Sequence, residues 1–301
     1  MAGLKEVRIR IASVKSTQQI TNAMKMVAAS KLRKAQTAII KLRPYATKLR
    51  EILQNLNTSI ENSDENVFSQ NRPPEKVLLI VIASNRGLCG AFNSNIVKMA
   101  VNLTATKYRR QFSEDHVSFI TIGRKATEYF SKRKYNVVES HDDLFDQLTF
   151  VNASTLAERL MKSFAAQEYD RIELIYNQFK NAAVQRLIVE QYLPIASSQE
   201  AVPAQSQPVS APAGQAGYLF EPDKETIVRE LIPKTLRIQL FKAVLDSFAS
   251  EQGARMTAMH KATENAKDLL RDLNISYNKA RQNSITNAIL EIVSGAEALK
   301  G

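Results

Sequence analysis

The sequence predicts an α/β domain carried between two long helices that wind on each other as an antiparallel coiled coil. Two patterns predict it. Apolar residues recur at spacings of three and four near both ends of the 301-residue chain, which is the pattern of a coiled-coil seam. Between those ends, short continuous apolar runs alternate with helical stretches, as in a sheet covered by helices on both faces. With 44% hydrophobic and 24% charged residues, the chain has the composition of a folding protein, and disorder throughout is excluded.

The first element is an N-terminal helix over 1–61. Leu4, Val7, Ile11 and Val14 begin its seam. After a polar stretch the seam resumes through Leu32, Ala35, Ile39, Leu42, Ala46, Leu49, Leu53, Leu56 and Ile60 in unbroken three-four alternation. Glycine is absent after Gly3, and Pro44 is expected to bend the helix rather than end it. Asn62-Ser63-Asp64 and Arg72-Pro73-Pro74 mark its end.

An α/β domain over 75–195 follows. Residues 77–83, Val-Leu-Leu-Ile-Val-Ile-Ala, form an apolar run suited to a strand covered on both faces. Further strands are expected at 117–122, 135–138 and 172–176, with helices at 95–110, 125–132 and 154–164. That alternation makes a mostly parallel, Rossmann-like sheet. A last strand, 184–192, follows the short Lys180-Asn181-Ala182-Ala183 connection and should close a hairpin.

Residues 196–222, rich in Pro, Ala, Ser and Gln, read as a flexible surface loop. The C-terminal helical arm spans 223–301. Glu221-Pro222-Asp223 reads as a helix start and Pro233 as the first turn of a second helix. From Lys234 to Lys300 there is no proline, and glycine occurs only at Gly253 and Gly295, so one long helix is expected. Its seam is read through Ala266, Leu269, Leu273, Ser276, Ala280, Asn283, Asn287 and Leu290. Two seams separated by the whole α/β segment need each other as partners. Helices this long exceed the radius of gyration of roughly 19 Å for a compact chain of this size, so a rod with a globular domain at one side is expected.

The net charge is +11, and nearly all the excess lies in residues 1–60, which carry 12 Lys/Arg against 2 Asp/Glu. A basic helix suits phosphates, anionic lipid or an acidic protein surface, and equally serves as a solvated face. The longest apolar stretch is far short of the roughly 20 residues a bilayer-spanning helix needs, so membrane association is expected through partners only. No cleaved targeting segment is read at the N-terminus. A single cysteine, Cys89, rules out an internal disulfide, and three scattered histidines offer no metal cluster.

The loop from Ser84 to Asn93 stands where α/β folds bind ligands. It lacks the Gly-Lys-Ser/Thr of a nucleotide loop and the three-glycine dinucleotide spacing, so a tight turn of small residues is the better reading. Nothing places a base beside Cys89, and Asp142-Asp143 beside His141 reads as a solvated turn. No constellation argues for an enzyme. The end of the last helix is unusual. Ser276, Ala280, Asn283 and Asn287 make a poor dry seam, while Ile285, Ile289, Ile292 and Val293 lie off it. Apolar groups around several sides of a helix need an enclosing partner, unless the end simply frays.

Four motifs carry a family resemblance over essentially the whole length. They are Ile20-Thr21-Asn22-Ala23-Met24-Lys25-Met26-Val27-Ala28-Ala29-Ser30-Lys31, Arg86-Gly87-Leu88-Cys89-Gly90, Ser250-Glu251-Gln252-Gly253-Ala254-Arg255-Met256, and Ile285 through Ala298. The chain resembles the gamma subunits of bacterial F-type ATP synthases. One departure is Ala288, where the terminal signature usually has glutamate. The resemblance implies a non-catalytic central rotor shaft that couples ion-driven rotation of a membrane ring to conformational change at catalytic beta subunits. It implies that Arg281 and Gln282, with Thr286 nearby and Glu291 on the same partner-facing end, contact the catalytic subunit. Met24 and Lys25 would face an acidic lever region of a beta subunit. The implied partners are the alpha and beta subunits, the epsilon subunit and the membrane c-ring, with no cofactor and no nucleic acid. The implied place is the cytoplasmic face of the bacterial inner membrane. A basic coiled coil holding nucleic acid is the competing class, and mixed charge on the second helix and few aromatics for base stacking weigh against it.

Overall fold

Ten helices and strands alternate between the two long arms in the computed structural model, which describes residues 4–57, 67–70, 72–182, 184–195 and 224–298. Helix α1 (Leu4–Asn57) is followed by β1 (Val77–Ile82), α2 (Phe92–Thr106), α3 (Arg109–Ser113), β2 (Val117–Ile122), α4 (Arg124–Lys132) and β3 (Val137–Ser140). A 3-10 turn (Asp142–Phe145), α5 (Phe150–Ala165), β4 (Arg171–Phe179), β5 (Gln185–Leu193) and α6 (Lys224–Ala298) complete the order.

The five strands form one sheet in the order β3-β2-β1-β4-β5. The first four are parallel and β5 returns antiparallel to β4 as a hairpin. All six residues of β1 and of β2 are buried, because alternate residues face two separate cores. Leu78, Ile80 and Ile82 pack with Leu156, Leu160 and Phe164 of α5 and with Leu236, Leu240 and Val244 of α6. Val77, Leu79 and Val81 pack with Phe92, Ile96 and Ala100 of α2 and with Ala126 and Phe130 of α4. The third strand begins two residues later than its apolar pattern suggests, since Tyr135 is used in the second core, against Phe119 and Phe130.

By compactness the chain divides into two units, Lys31–Ala254 and the pair Met1–Ser30 with Arg255–Gly301. Both divisions fall inside the long helices. In the larger unit, Leu32, Ala35, Ile39 and Leu49 of α1 are buried and Leu42 and Ala46 half-buried. Ile52 and Leu231 pack on the core that α6 itself helps to build. Within this stretch α6 is therefore a covering helix of the sheet as well as an arm.

In the smaller unit α1 and α6 run antiparallel. Leu4, Val7, Ile11, Val14, Gln18 and Thr21 are the covered positions of α1, leading to the fully buried Ala28. The stretch that reads as polar thus continues the same seam, with Thr21 accepting a hydrogen bond from the Thr263 hydroxyl at 2.9 Å. On α6 the covered positions from Met259 onward are Met259, Ala262, Thr263, Ala266, Leu270, Leu273, Tyr277 and Ala280. This corrects the sequence-based seam. Leu269 and Ser276 are exposed, and Leu270 and Tyr277 take their places; the two phases share Ala266, Leu273 and Ala280, so spacing alone does not separate them. Asn283, Asn287 and Leu290 are also exposed.

Pro233 is a second correction, because α6 runs through it from Lys224 as a single helix. Ile232 and Leu236 on either side are anchored in the core at 2% and 1% exposure, and that packing outweighs the lost backbone bond. Pro44 likewise lies inside α1. The 196–222 segment, Ile60, the helix-end residues Asn62-Ser63-Asp64, and the side chains of Leu53 and Leu56 lie outside the described residues.

Candidate functional site

Three regions bear on function: the loop after β1, the stretch of α6 that lies over it, and the far end of α6. The loop after β1 sits where the strand order reverses, the position at which open α/β sheets bind ligands. Here its polar groups are spent internally. The Ser84 hydroxyl donates to the Arg86 carbonyl at 2.7 Å and the Ser84 amide to Asn93 Oδ1 at 3.0 Å. Asn93 Nδ2 donates to Cys89 Sγ at 3.2 Å, and Asn85 bridges the Asp142 carbonyl and the Arg124 amide. Cys89 is 1% exposed. Gly123 closes the neighbouring turn with φ 103°, and a Cβ there would lie 2.4 Å from the Ala83 carbonyl oxygen. The loop is a packed turn, as its small residues suggest.

Asp142 is not a solvated residue. It opens the 3-10 turn, accepts from the Thr127 hydroxyl at 2.9 Å through Oδ1, and is half-buried, whereas Asp143 is exposed. Its neighbour His141 lies 3.1 Å from Glu139, which Arg159 also engages. Among the described residues no group of His, Cys, Asp or Glu is arranged to hold a metal ion.

The crevice beside this loop is filled by the chain itself. The Ser247 hydroxyl donates to the carbonyl of Ile82, the last residue of β1, at 3.2 Å, and the Ser250 hydroxyl to the carbonyl of Asn177 in β4 at 3.0 Å. Three residues further on, a Cβ at Gly253 would come within 3.1 Å of the Ala182 carbonyl oxygen in the β4–β5 connection. From Ala243 to Gly253 every residue but Phe248 is buried, and Phe248 stacks on Phe145 at 6.0 Å. Asp246 belongs to this stretch. Burial pushes its carboxyl up to about 6, Glu190 adding to that effect and Lys242 and Arg43 opposing it.

The far end of α6 is the opposite case. Every residue from Arg281 to Ala298 is exposed, including Ile285 at 53%, Ile289 at 55%, Leu290 at 60%, Ile292 at 70% and Val293 at 51%. Arg281, Gln282, Thr286 and Glu291 all stand on this uncovered stretch. The Thr286 hydroxyl donates to the Gln282 carbonyl at 3.0 Å and that of Ser294 to the Glu291 carbonyl at 3.2 Å, so the helix satisfies its own hydroxyls. Arg281 and Gln282 are carried side by side. Met24 and Lys25 are placed differently, half-buried beside the buried Ala28, while the neighbouring Met26 and Val27 are 58% and 57% exposed. No helix among the described residues is long and apolar enough to cross a membrane.

Sequence reasoning did not single out Ser247 or Asp246, and nothing local could have done so, since the carbonyl that Ser247 meets lies 165 residues away.

Comparison with known proteins adds the following. The model of the ATP synthase family matches residues 3–299. An ATP synthase gamma chain from Flavobacterium johnsoniae is 54% identical over 301 residues, covering all of both chains. Among solved structures, a chain of the central stalk and c-ring assembly of Tetrahymena thermophila mitochondrial ATP synthase is 25% identical. It covers 81% of this chain and 99% of its own length, with a TM-score of 0.58. A chain of the rotor of Euglena gracilis mitochondrial ATP synthase, 21% identical over 94% of this chain and 98% of its own, has the same fold with a TM-score of 0.65. Matched from end to end by the family model and by a relative identical at more than half its positions, the chain belongs to the gamma-chain family of the ATP synthases.

Proposed function

We propose that this chain is the central rotor shaft of an F-type ATP synthase, with arms 1–61 and 223–301 as the shaft, 75–195 as the α/β domain and 196–222 as a connecting loop. Catalysis belongs to the nucleotide sites of the beta subunits. The shaft carries rotation between the membrane c-ring and the alpha-beta hexamer, with the epsilon subunit as a further partner. The assembly lies at the cytoplasmic face of a bacterial inner membrane, and the shaft meets the membrane only through its partners.

The observation that supports this reading best is the bare end of α6. Eighteen consecutive exposed residues that include five large aliphatic side chains would be a liability in an isolated molecule. They suit a helix seated in a sleeve of other subunits. Arg281, Gln282, Thr286 and Glu291 are the polar contacts of that seat. The guanidinium of Arg281 offers a planar fork of donors suited to carboxylate or carbonyl groups. Met24 and Lys25 meet the acidic lever of a beta subunit, with the exposed Met26 and Val27 beside them.

The test is the double variant Arg281→Ala with Gln282→Ala in the assembled complex. Losing one end of a charge-assisted contact costs about 1.5–3 kcal/mol. A loss of about 1.4 kcal/mol from the transition state slows ATP hydrolysis about tenfold. Stability of the isolated chain should change by less than about 0.5 kcal/mol, as both side chains are exposed there. A variant that melts much earlier yet turns over at the parent rate once assembled would make these residues structural.

A further inference from the structure

We propose that Ser247, Ser250 and Gly253 make a fixed joint between α6 and the sheet, through which turning force enters the shaft helix. This rests on the rotor reading above and assigns these residues a positioning role within it.

The three residues are spaced i, i+3 and i+6, so they share one face of the helix. Each meets a different piece of backbone: the carbonyl of Ile82 at the end of β1, the carbonyl of Asn177 in β4, and the Ala182 carbonyl in the β4–β5 connection. A helix tied at one point can still turn about its axis or slide. Two hydrogen bonds and a close backbone approach along about 9 Å of helix axis hold it against both motions. The partners are backbone atoms of adjacent strands and their hairpin, whose positions the β1–β4 and β4–β5 ladders set, so the acceptors cannot move away, and both serines are buried.

The remaining faces of the helix are closed as well, since only Phe248 of residues 243–253 is not buried. Close-packed interiors are nearly incompressible and transmit strain. The same helix that is bare on every side at its far end is gripped on every side here. The position is also instructive. This is the crevice at the strand-order reversal, where sheets of this kind hold a ligand, and here a helix takes the ligand's place.

The test uses the complete complex in sealed vesicles, reading ATP hydrolysis and ATP-driven ion transport separately. Ser247→Ala, Ser250→Ala and Gly253→Val together should loosen the joint. Hydrolysis should stay within about twofold of the parent, because the shaft end still turns in its seat, while ions moved per ATP against an opposing gradient should fall at least about threefold. A second variant locks the joint. Ala182→Cys with Gly253→Cys places two thiols at a contact where the glycine Cβ position is 3.4 Å from Ala182 Cα. Native Cys89 is buried elsewhere. Oxidation of this pair should leave transport per ATP unchanged. Combined with Ser247→Ala and Ser250→Ala, with cysteine in place of valine at 253, the oxidised lock should restore it, and reductant should abolish the rescue. If the lock alone stops coupled transport while hydrolysis continues, the joint must move and the proposal fails. Full coupling in the loosened variant fails it too. Neither result touches the rotor reading, which would be lost only if the chain proved dispensable for coupled transport.

Discussion

Replacing Asp246 by asparagine should stabilise the protein at neutral and alkaline pH. Asp246 is 2% exposed on α6 and its Oδ1 is buried without a hydrogen-bond partner. Lys242 and Arg43 offset part of the burial cost, but Glu190 opposes them; its own carboxylate accepts from Tyr176 and Gln239. The result is a carboxyl raised from its ordinary 3.8 to about 6. A group whose folded-state pKa is raised in this way prefers the unfolded state when ionised. The penalty is present in full above pH 6 and is relieved as pH falls from 6 toward 3.8. At about 1.4 kcal/mol per pH unit, the ionised carboxylate costs about 3 kcal/mol at pH 8 and about 1 kcal/mol at pH 4.5. Asparagine keeps the shape and removes the charge, although it still buries polar atoms, so the net gain at pH 8 should be about 1–3 kcal/mol.

The assay is urea unfolding of variant and parent at pH 8, 6 and 4.5, followed by circular dichroism. Because every other group titrates in both proteins, the difference at each pH isolates Asp246. The variant's advantage should shrink by about 2 kcal/mol between pH 8 and pH 4.5. An asparagine variant less stable at pH 8 and equal to the parent at pH 4.5 would refute the reasoning. The carboxylate would then be a net stabilising partner of Lys242 and Arg43.

Gly123→Ala should cost about 4 kcal/mol or more, or give no folded protein, because both φ 103° and the 2.4 Å approach to the Ala83 carbonyl exclude a Cβ; thermal unfolding measures it. Glu173, 1% exposed in β4, accepts from Lys107 and from the Tyr108 hydroxyl. Glu173→Ala should therefore cost about 1–3 kcal/mol, because it leaves the buried Tyr108 hydroxyl without its acceptor while Lys107, 45% exposed, can turn to solvent, and Tyr108→Phe about 1–3 kcal/mol, both read by urea unfolding. The seam of α6 is tested by two adjacent residues. Leu270→Ala should lower stability by about 1–2 kcal/mol, and Leu269→Ala, at 40% exposure, by less than about 0.5 kcal/mol. The reverse order would restore the seam read from spacing.

Much of the fold is legible because its elements are locally consistent. The run from Val77 to Ile82 is apolar at every position and is buried at every position, and the three-four pattern of α1 survives into its burial pattern from Leu4 to Leu49. What the pattern does not say is which surface covers a helix. Leu236, Leu240 and Val244 have helical spacing, and that spacing is the same whether the partner is a helix or a sheet. Here it is a sheet. The polar run Asp246-Ser247, then Ser250-Glu251-Gln252, is buried with nothing local to mark it, and its two serines find their acceptors on strands far away in sequence. Arg281 and Gln282 are a different case. Their role was suggested by family resemblance, and the structure supplies the physical reason for attending to them, which is exposure.

The distribution of polarity along the bare end of α6 bears on how such a shaft can turn. A continuous apolar stripe there would find one deepest position against its surroundings, and each step out of that position would cost the free energy of exposing it. Ile285, Ile289, Ile292 and Val293 do share one face of the helix, with Leu290 beside it, and Asn283, Ser284, Asn287, Glu291 and Ser294 occupy the opposite side. Turning the helix therefore carries this apolar face past its surroundings, and a step is cheap only where the next position offers an apolar contact of similar size. Ala288 adds no charge to this stretch, whose charged groups are Arg281, Glu291 and Glu297. The apolar face supplies the hold on the shaft, and the directed part of the rotation profile falls to these few charged groups. Substituting Arg281 should then act mainly on turnover, with little effect on how firmly the shaft is held.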